Sequence, residues 1–181
     1  MWLFSSINMR RFKLILITGL IAVTATTLLY KPVSIAVFNI TEPVFKCPVK
    51  LGPGESMVVR NDAHGDGDFG MKRRGGRTHS GIDIKAPVGT PVMASKSGLA
   101  FCLNVPTGYG KYVLIYHPDG MLTLYGHLSE WAIESATGVK QGQVIGMVGK
   151  TGNANSKLMD PHLHFEIRKN NIPLDPRILM K

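Results

Sequence analysis

Pro161-His162-Leu163-His164-Phe165-Glu166-Ile167-Arg168 alternates polar and apolar side chains without interruption. A period of two marks a half-buried strand. His162, His164 and Glu166 then share one face, while Leu163, Phe165 and Ile167 enter the core from the other. Two imidazoles two residues apart on a strand point the same way, so both can reach one cavity. Upstream, His79-Ser80-Gly81-Ile82-Asp83 supplies another imidazole and a carboxylate. Ser80-Gly81 disfavours a helix, and the strand-like Ile82-Asp83-Ile84-Lys85 follows. His79 therefore ends a loop and Asp83 enters a strand, so the two side chains converge from a bend. Tyr125-Gly126-His127-Leu128 lies between the two clusters. Two imidazoles and one carboxylate can hold zinc with an open fourth position, the catalytic form, whereas structural zinc is closed by four protein ligands. Two further imidazoles are left for proton transfer. A lone H-x-H is weak evidence, but three segments that combine in this way point to a metallohydrolase.

The rest of the C-terminal part reads as short strands broken by turns. Candidate strands are Val58-Val59, Ile82 to Ile84, Pro91 to Ala94, Leu99 to Leu103, Tyr112 to Tyr116, Leu122 to Tyr125, Val144 to Val148 and His162 to Arg168. His117-Pro118-Asp119-Gly120 is a hairpin turn. One helical turn is expected over Ser129 to Ser135, capped by Ser129. The expected fold is all-β, an antiparallel sandwich or folded sheet with a groove across it.

The chain has 181 residues, enough for one domain with a real core. Its N-terminus differs from the rest. Leu14 to Tyr30 is a nearly continuous apolar run without a charge, preceded by Arg10, Arg11 and Lys13 and followed by Lys31-Pro32. That length lies at the lower limit for a membrane-spanning helix, roughly 17 to 25 residues. Positive flanks stay in the cytoplasm, which puts the C-terminal part outside. The expected organisation is a cytoplasmic tail over 1–13, a transmembrane signal-anchor over 14–30, a Pro-containing linker over 31–48 and a metallohydrolase domain over 49–181. The rival is a signal peptide cleaved after Val23-Thr24-Ala25. The run is longer than a usual signal-peptide core, which favours a retained anchor and a membrane partner.

The net charge is +9. An exported basic protein is drawn to anionic wall polymers and lipid head groups. Export argues against nucleic acid, and the chain has neither a recognition helix nor an aromatic RNA-binding motif. Lys72, Arg73, Arg74 and Arg77 cluster just before His79; they either steer substrate carboxylates or form a solvated loop. Cys47 and Cys102 are expected to form a disulfide pinning the linker to the sheet, against two partly buried free thiols. Glu166 faces the histidine side; it either orients an imidazole or, as expected, sits on the rim. His117, before its Pro-Asp-Gly turn, is expected to be structural, and His64 exposed. Asp83-Ile84-Lys85-Ala86 superficially resembles a lipoylated hairpin, but Pro87 follows and the histidines would then have no role.

The stretch from about Gly70 to Asp175 resembles the lysostaphin/LytM-type zinc endopeptidases that cut peptidoglycan peptides. The resemblance rests on H-S-G-I-D-I-K-A-P-V-G-T-P-V (79–92), G-K-Y-V-L-I-Y-H-P-D-G (110–120), L-Y-G-H-L-S (124–129), V-K-Q-G-Q-V-I-G-M-V-G (139–149) and P-H-L-H-F-E-I (161–167). It implies one Zn2+ per chain held by His79, Asp83 and His164. His127 and His162 are then the unliganded catalytic pair, with base and oxyanion roles open between them. The implied substrate is the stem peptides of peptidoglycan in the bacterial envelope. Both the D-alanyl cross-link and the glycine bridge stay open as the bond cut. The other class is a catalytically silent envelope regulator, which should have lost zinc ligands.

Overall fold

In the computed structural model, which describes residues 3–50 and 56–180, the N-terminal apolar run is helical. Helix α1 spans Leu3–Thr41. The hydroxyls of Thr18 and Thr26 donate back to the carbonyls of Leu14 and Ala22, so these polar atoms are satisfied within the helix. α1 tolerates Pro32 and runs on through much of the expected linker. It stops before Glu42-Pro43, because a residue preceding proline is disfavoured in helical geometry. Among the described residues no helix is long and apolar enough to cross a membrane, so the spanning helix expected over 14–30 is not supported by the structure.

The second compact unit begins at Glu42, earlier than the expected boundary at 49. Phe45, inside the stretch expected as linker, is buried in its core beside Val49, the first residue of the expected domain. Val49 forms a bridge to Val92, and the Phe45 N–H donates to the Leu179 carbonyl at 3.3 Å.

This unit is a folded antiparallel sheet. The small hairpin β1 (Asn61–Asp62) and β2 (Gly65–Asp66) comes first. The large sheet contains β3 (Ile82–Lys85), β4 (Pro91–Met93), β5 (Gly98–Asn104), β6 (Lys111–Tyr116), β7 (Met121–Trp131), β8 (Thr137–Val139), β9 (Val144–Val148), β10 (His162–Lys169) and β11 (Ile172–Leu174). Its main path runs β11-β10-β7-β6-β5-β8; β3 pairs with β10, and β9 joins β7 to β4. A short helix α2 (Pro176–Leu179) follows, capped by Asp175.

Strand β7 makes the fold. It pairs with β6 and β10 along its first half, and with β9 beyond Leu128. The helical turn expected over 129–135 is therefore absent at its start, because Ser129–Trp131 continue the strand. The expected His117–Gly120 turn does join β6 to β7; Gly120 takes φ +79°, and the Met121 N–H donates to Asp119 Oδ1 at 3.0 Å. His117 is buried and structural. Its Nδ1–H donates to the Ser97 carbonyl at 2.9 Å, and its Nε2 lies 3.0 Å from Thr123 Oγ1, which in turn contacts the Tyr125 hydroxyl.

Leu163, Phe165 and Ile167 of β10 join Ile82, Val113 and Tyr125 in the core. The opposite face of β10 is buried as well, from His162 to Glu166. Cys47 and Cys102 are free thiols, which corrects the expected disulfide. Cys102 instead directs its thiol to the Ile133 carbonyl at 3.6 Å, and burial pushes both thiols up from the usual cysteine range.

Candidate metal centre

Register brings the site together. His164 lies directly across from Asp83 on β3 and from Gly126 on β7. Cross-strand partners project to the same face, so the imidazole and carboxylate meet without any contribution from the loops. His79, on the loop entering β3, completes the group. His79 Nε2 lies 3.1 Å from both His164 Nδ1 and Asp83 Oδ1, and His164 Nδ1 lies 2.9 Å from Asp83 Oδ1.

These three atoms form a nearly equilateral triangle. Ligand bonds of about 2.0–2.1 Å at tetrahedral angles place donor atoms about 3.3 Å apart, so the triangle matches one face of a tetrahedral metal site. The tautomers also fit. His79 Nδ1–H donates to the Asp68 carbonyl at 2.8 Å, and His164 Nε2–H donates to Glu166 Oε1 at 2.9 Å. Each imidazole can therefore offer its remaining nitrogen, Nε2 of His79 and Nδ1 of His164, to a metal that takes the place of a proton. The field favours a cation as well. Burial opposes charge on His164, yet Asp83 and Glu166 outweigh it and raise the imidazole to about 9. Burial likewise opposes ionisation of Asp83, but hydrogen bonds from His164 and His79 hold it well below the usual carboxylate range.

Glu166 corrects the expectation of a rim carboxylate. It is 0 % exposed, and it receives His164, Ser80 and Tyr109 on one oxygen and Arg168 on the other. Burial opposes its charge, but His164 and Arg168 hold the carboxyl below its usual range. Its place beside His164 follows from β10 alternation; its burial depends on loops that the alternation does not describe.

His127 and His162 stand beside the triangle. Their rings are 5.0 Å apart, and His127 is 5.8 Å from the His164 ring. His162 Nε2 lies 3.8 Å from Asp83 Oδ1. His127 lies mid-strand, at a bulge. Leu128 pairs with Lys111 and Tyr125 with Val113, so Gly126 and His127 together oppose Tyr112. His127 takes φ +63° there, a conformation unusual for a residue with a side chain. Its N–H donates to the Tyr109 carbonyl at 2.8 Å and its Nδ1–H to the Thr151 carbonyl at 2.9 Å. Bulges re-aim side chains in this way. His162 Nδ1–H donates to the Asp160 carbonyl at 2.7 Å. Both Nε2 atoms are thus left as acceptors. Burial, helped by His164 and His162, lowers His127 to about 3; burial also lowers His162.

All five residues line one groove of about 770 Å³, together with His64, Arg77, Tyr109, Asn153 and Met159. Arg73 and Arg77 of the basic cluster both line the groove, and Arg73 NH2 also reaches Asp83 Oδ2 at 3.2 Å. Arg60 gave no signal in the sequence, yet it also holds Asp83 Oδ2, at 2.9 Å. Tyr109 was missed too; the flanking Gly108 and Gly110 were its only mark.

A folded antiparallel sheet with two imidazoles and a carboxylate at a groove floor, and two more imidazoles alongside, defines a metallopeptidase class. The chain belongs to peptidase family M23, which matches residues 77–176. It is 45% identical over 100 residues to the DD-carboxypeptidase/endopeptidase Mpg of Neisseria meningitidis, covering 55% of this chain and 22% of that protein. The chain thus spans about a fifth of the length of that curated relative. Among solved structures, a zinc-containing peptidase from Vibrio cholerae aligns at 30% identity and a TM-score of 0.59, over 74% of this chain and 39% of that one. A mutant catalytic domain of the prophage-encoded M23 protein EnpA from Enterococcus faecalis aligns at 33% identity and a TM-score of 0.55, over 72% and 95%.

Proposed function

We propose that this chain is a zinc-dependent endopeptidase acting on the peptide cross-links of bacterial peptidoglycan. One observation carries the reading: three donor atoms within about 3 Å of one another on the groove floor, with two acceptor imidazoles beside them. His79, Asp83 and His164 are the ligands of one zinc ion. Zinc bound there supplies Lewis-acid polarisation of the scissile carbonyl and lowers the pKa of water to about 7. His127 and His162 move the protons. Each presents an unprotonated Nε2, so one can accept a proton from the attacking water and the pair can return one to the leaving amine. The Asp68 carbonyl and Glu166 hold the ligand imidazoles in place. The name of the Mpg relative supports a D-alanyl cross-link over a glycine bridge. The silent-regulator reading has no loss of ligands to support it.

Digestion of purified muropeptides, followed by mass analysis, is expected to show cross-linked dimers converted to monomers cut at the D-alanyl bond. Chelation should stop this and added zinc restore it. Intact dimers after digestion by the zinc-loaded chain would defeat the proposal.

We also propose that the chain is held at the envelope side of the membrane by residues 14–30. The charge-free run behind Arg10, Arg11 and Lys13 supports this, as do threonine hydroxyls already bonded within the helix. The protein should fractionate with membranes, with its C-terminus outside the cytoplasm. A C-terminal reporter active only in the cytoplasm would refute this placement, and mature protein beginning at Thr26 would select the cleaved form.

A further inference from the structure

The segment from Arg60 to Asp68 lies wholly upstream of the M23 match at 77–176, yet its contacts end on the candidate metal centre. Its backbone clamps Asp83 from both sides. The Arg60 N–H donates to the Asp83 carbonyl at 2.8 Å, and the Asp83 N–H donates to the Gly67 carbonyl at 2.9 Å. The approach is so close that a Cβ on Gly67 would fall 2.7 Å from the Asp83 Cβ.

The side chains extend the clamp. Arg60 is 2 % exposed. Its NH2 donates to Asp83 Oδ2 at 2.9 Å, and its NH1 donates to Asp62 Oδ1 at 2.6 Å and to the Gly65 carbonyl at 3.2 Å. The guanidinium therefore holds, with the more distant Arg73 NH2 at 3.2 Å, the carboxylate oxygen that faces away from His79 and His164. Asp83 Oδ1 is left to meet the two imidazoles. Asp62 Oδ2 accepts the Asp160 N–H at 2.8 Å, and the Asp160 carbonyl accepts the His162 Nδ1–H. The Asp68 carbonyl accepts the His79 Nδ1–H. One short arm thus touches two of the three candidate ligands directly and His162 through a single residue.

We propose that this arm is part of the catalytic apparatus, with Arg60 and Asp62 as positioning residues that fix how Asp83 is presented to the metal and how His162 is turned. The proposal rests on the reading that His79, Asp83 and His164 hold zinc. A buried ion pair is weak evidence of stability by itself, which is why the geometry needs a functional reading. Arg60 bridges two carboxylates with a planar fork, a task that the point charge of lysine does not reproduce.

The test uses the full chain and four single substitutions: Arg60→Gln, Arg60→Lys, Asp62→Asn and Gly67→Ala. Zinc affinity is measured by competition with a chromophoric chelator, alongside metal-free thermal melting and the split of kcat against KM. Loss of such a supporting contact is expected to weaken zinc by about ten- to a hundredfold. Arg60→Lys should fall short of wild type, and kcat should drop with KM little changed. Asp62→Asn, the milder change, decides the matter should Arg60→Gln fail to fold. Folded variants that bind zinc within about twofold of wild type would reduce the arm to a structural element and overturn the proposal. Wild-type protein that takes up no zinc would instead overturn the metal reading, and the arm proposal with it.

Discussion

Replacing His164 by alanine should remove the metal and the hydrolytic activity together. His164 is the hub of the centre. Its Nδ1 meets both His79 and Asp83, and its Nε2 is held by Glu166. Without it only one imidazole and one carboxylate remain, short of the three protein ligands of a catalytic zinc site. On the proposed reading, wild-type protein carries one zinc per chain by elemental analysis. His164→Ala should carry no stoichiometric zinc and should leave muropeptide dimers intact. Circular dichroism on the same preparations checks the fold. The Leu163, Phe165 and Ile167 face of β10 is untouched by the substitution, so the sheet should persist. A folded His164→Ala protein that keeps one tightly bound zinc would mean that the ligand set is wrong.

The parts of this site legible in the sequence are those whose geometry is local. Alternation along β10 put His162, His164 and Glu166 on one face before any pairing was known. The Ser80-Gly81 step placed His79 and Asp83 on either side of a bend. What pairing decides was not legible. His127 reads as a residue at a strand end, because the bulge that turns it exists only in the offset between Tyr125–Val113 and Leu128–Lys111. Strand β7 runs to Trp131 because β9 is there to receive it, and nothing within Ser129–Trp131 announces that. Arg60 is 23 residues from Asp83 in sequence, in a stretch with too little periodicity to suggest burial. β1 and β2 are two residues each, shorter than any pattern can mark. The expected disulfide rested on compartment alone, and packing placed the two thiols otherwise. Within the stretch expected as linker, Phe45 is buried against the core, and no periodicity marks it.

The second large effect concerns the two imidazoles outside the ligand set. His127→Ala and His162→Ala should each keep zinc and fold, yet lose hydrolysis by about two or more orders of magnitude. Neither side chain belongs to the donor triangle, so the metal has no reason to leave. Both rings are fixed by backbone carbonyls through Nδ1–H, of Thr151 for His127 and of Asp160 for His162. That choice of tautomer leaves Nε2 unprotonated and able to accept. A base must be neutral before it can take a proton. Burial holds both imidazoles below the ordinary histidine value, His127 to about 3, so both are neutral at pH 7. The two substitutions should differ in stability. His127 sits at φ +63°, a strain of about 1–3 kcal/mol that its side-chain bond to Thr151 helps to hold. His127→Ala loses that bond and keeps the strain, whereas His127→Gly relieves the strain and should melt higher than the alanine variant. Both should be equally slow, because neither has an imidazole. Zinc content, thermal melting and muropeptide hydrolysis on the same preparations separate these effects. Near-wild-type cleavage by a folded, zinc-replete variant at either position would remove that histidine from the mechanism and leave proton transfer to the other.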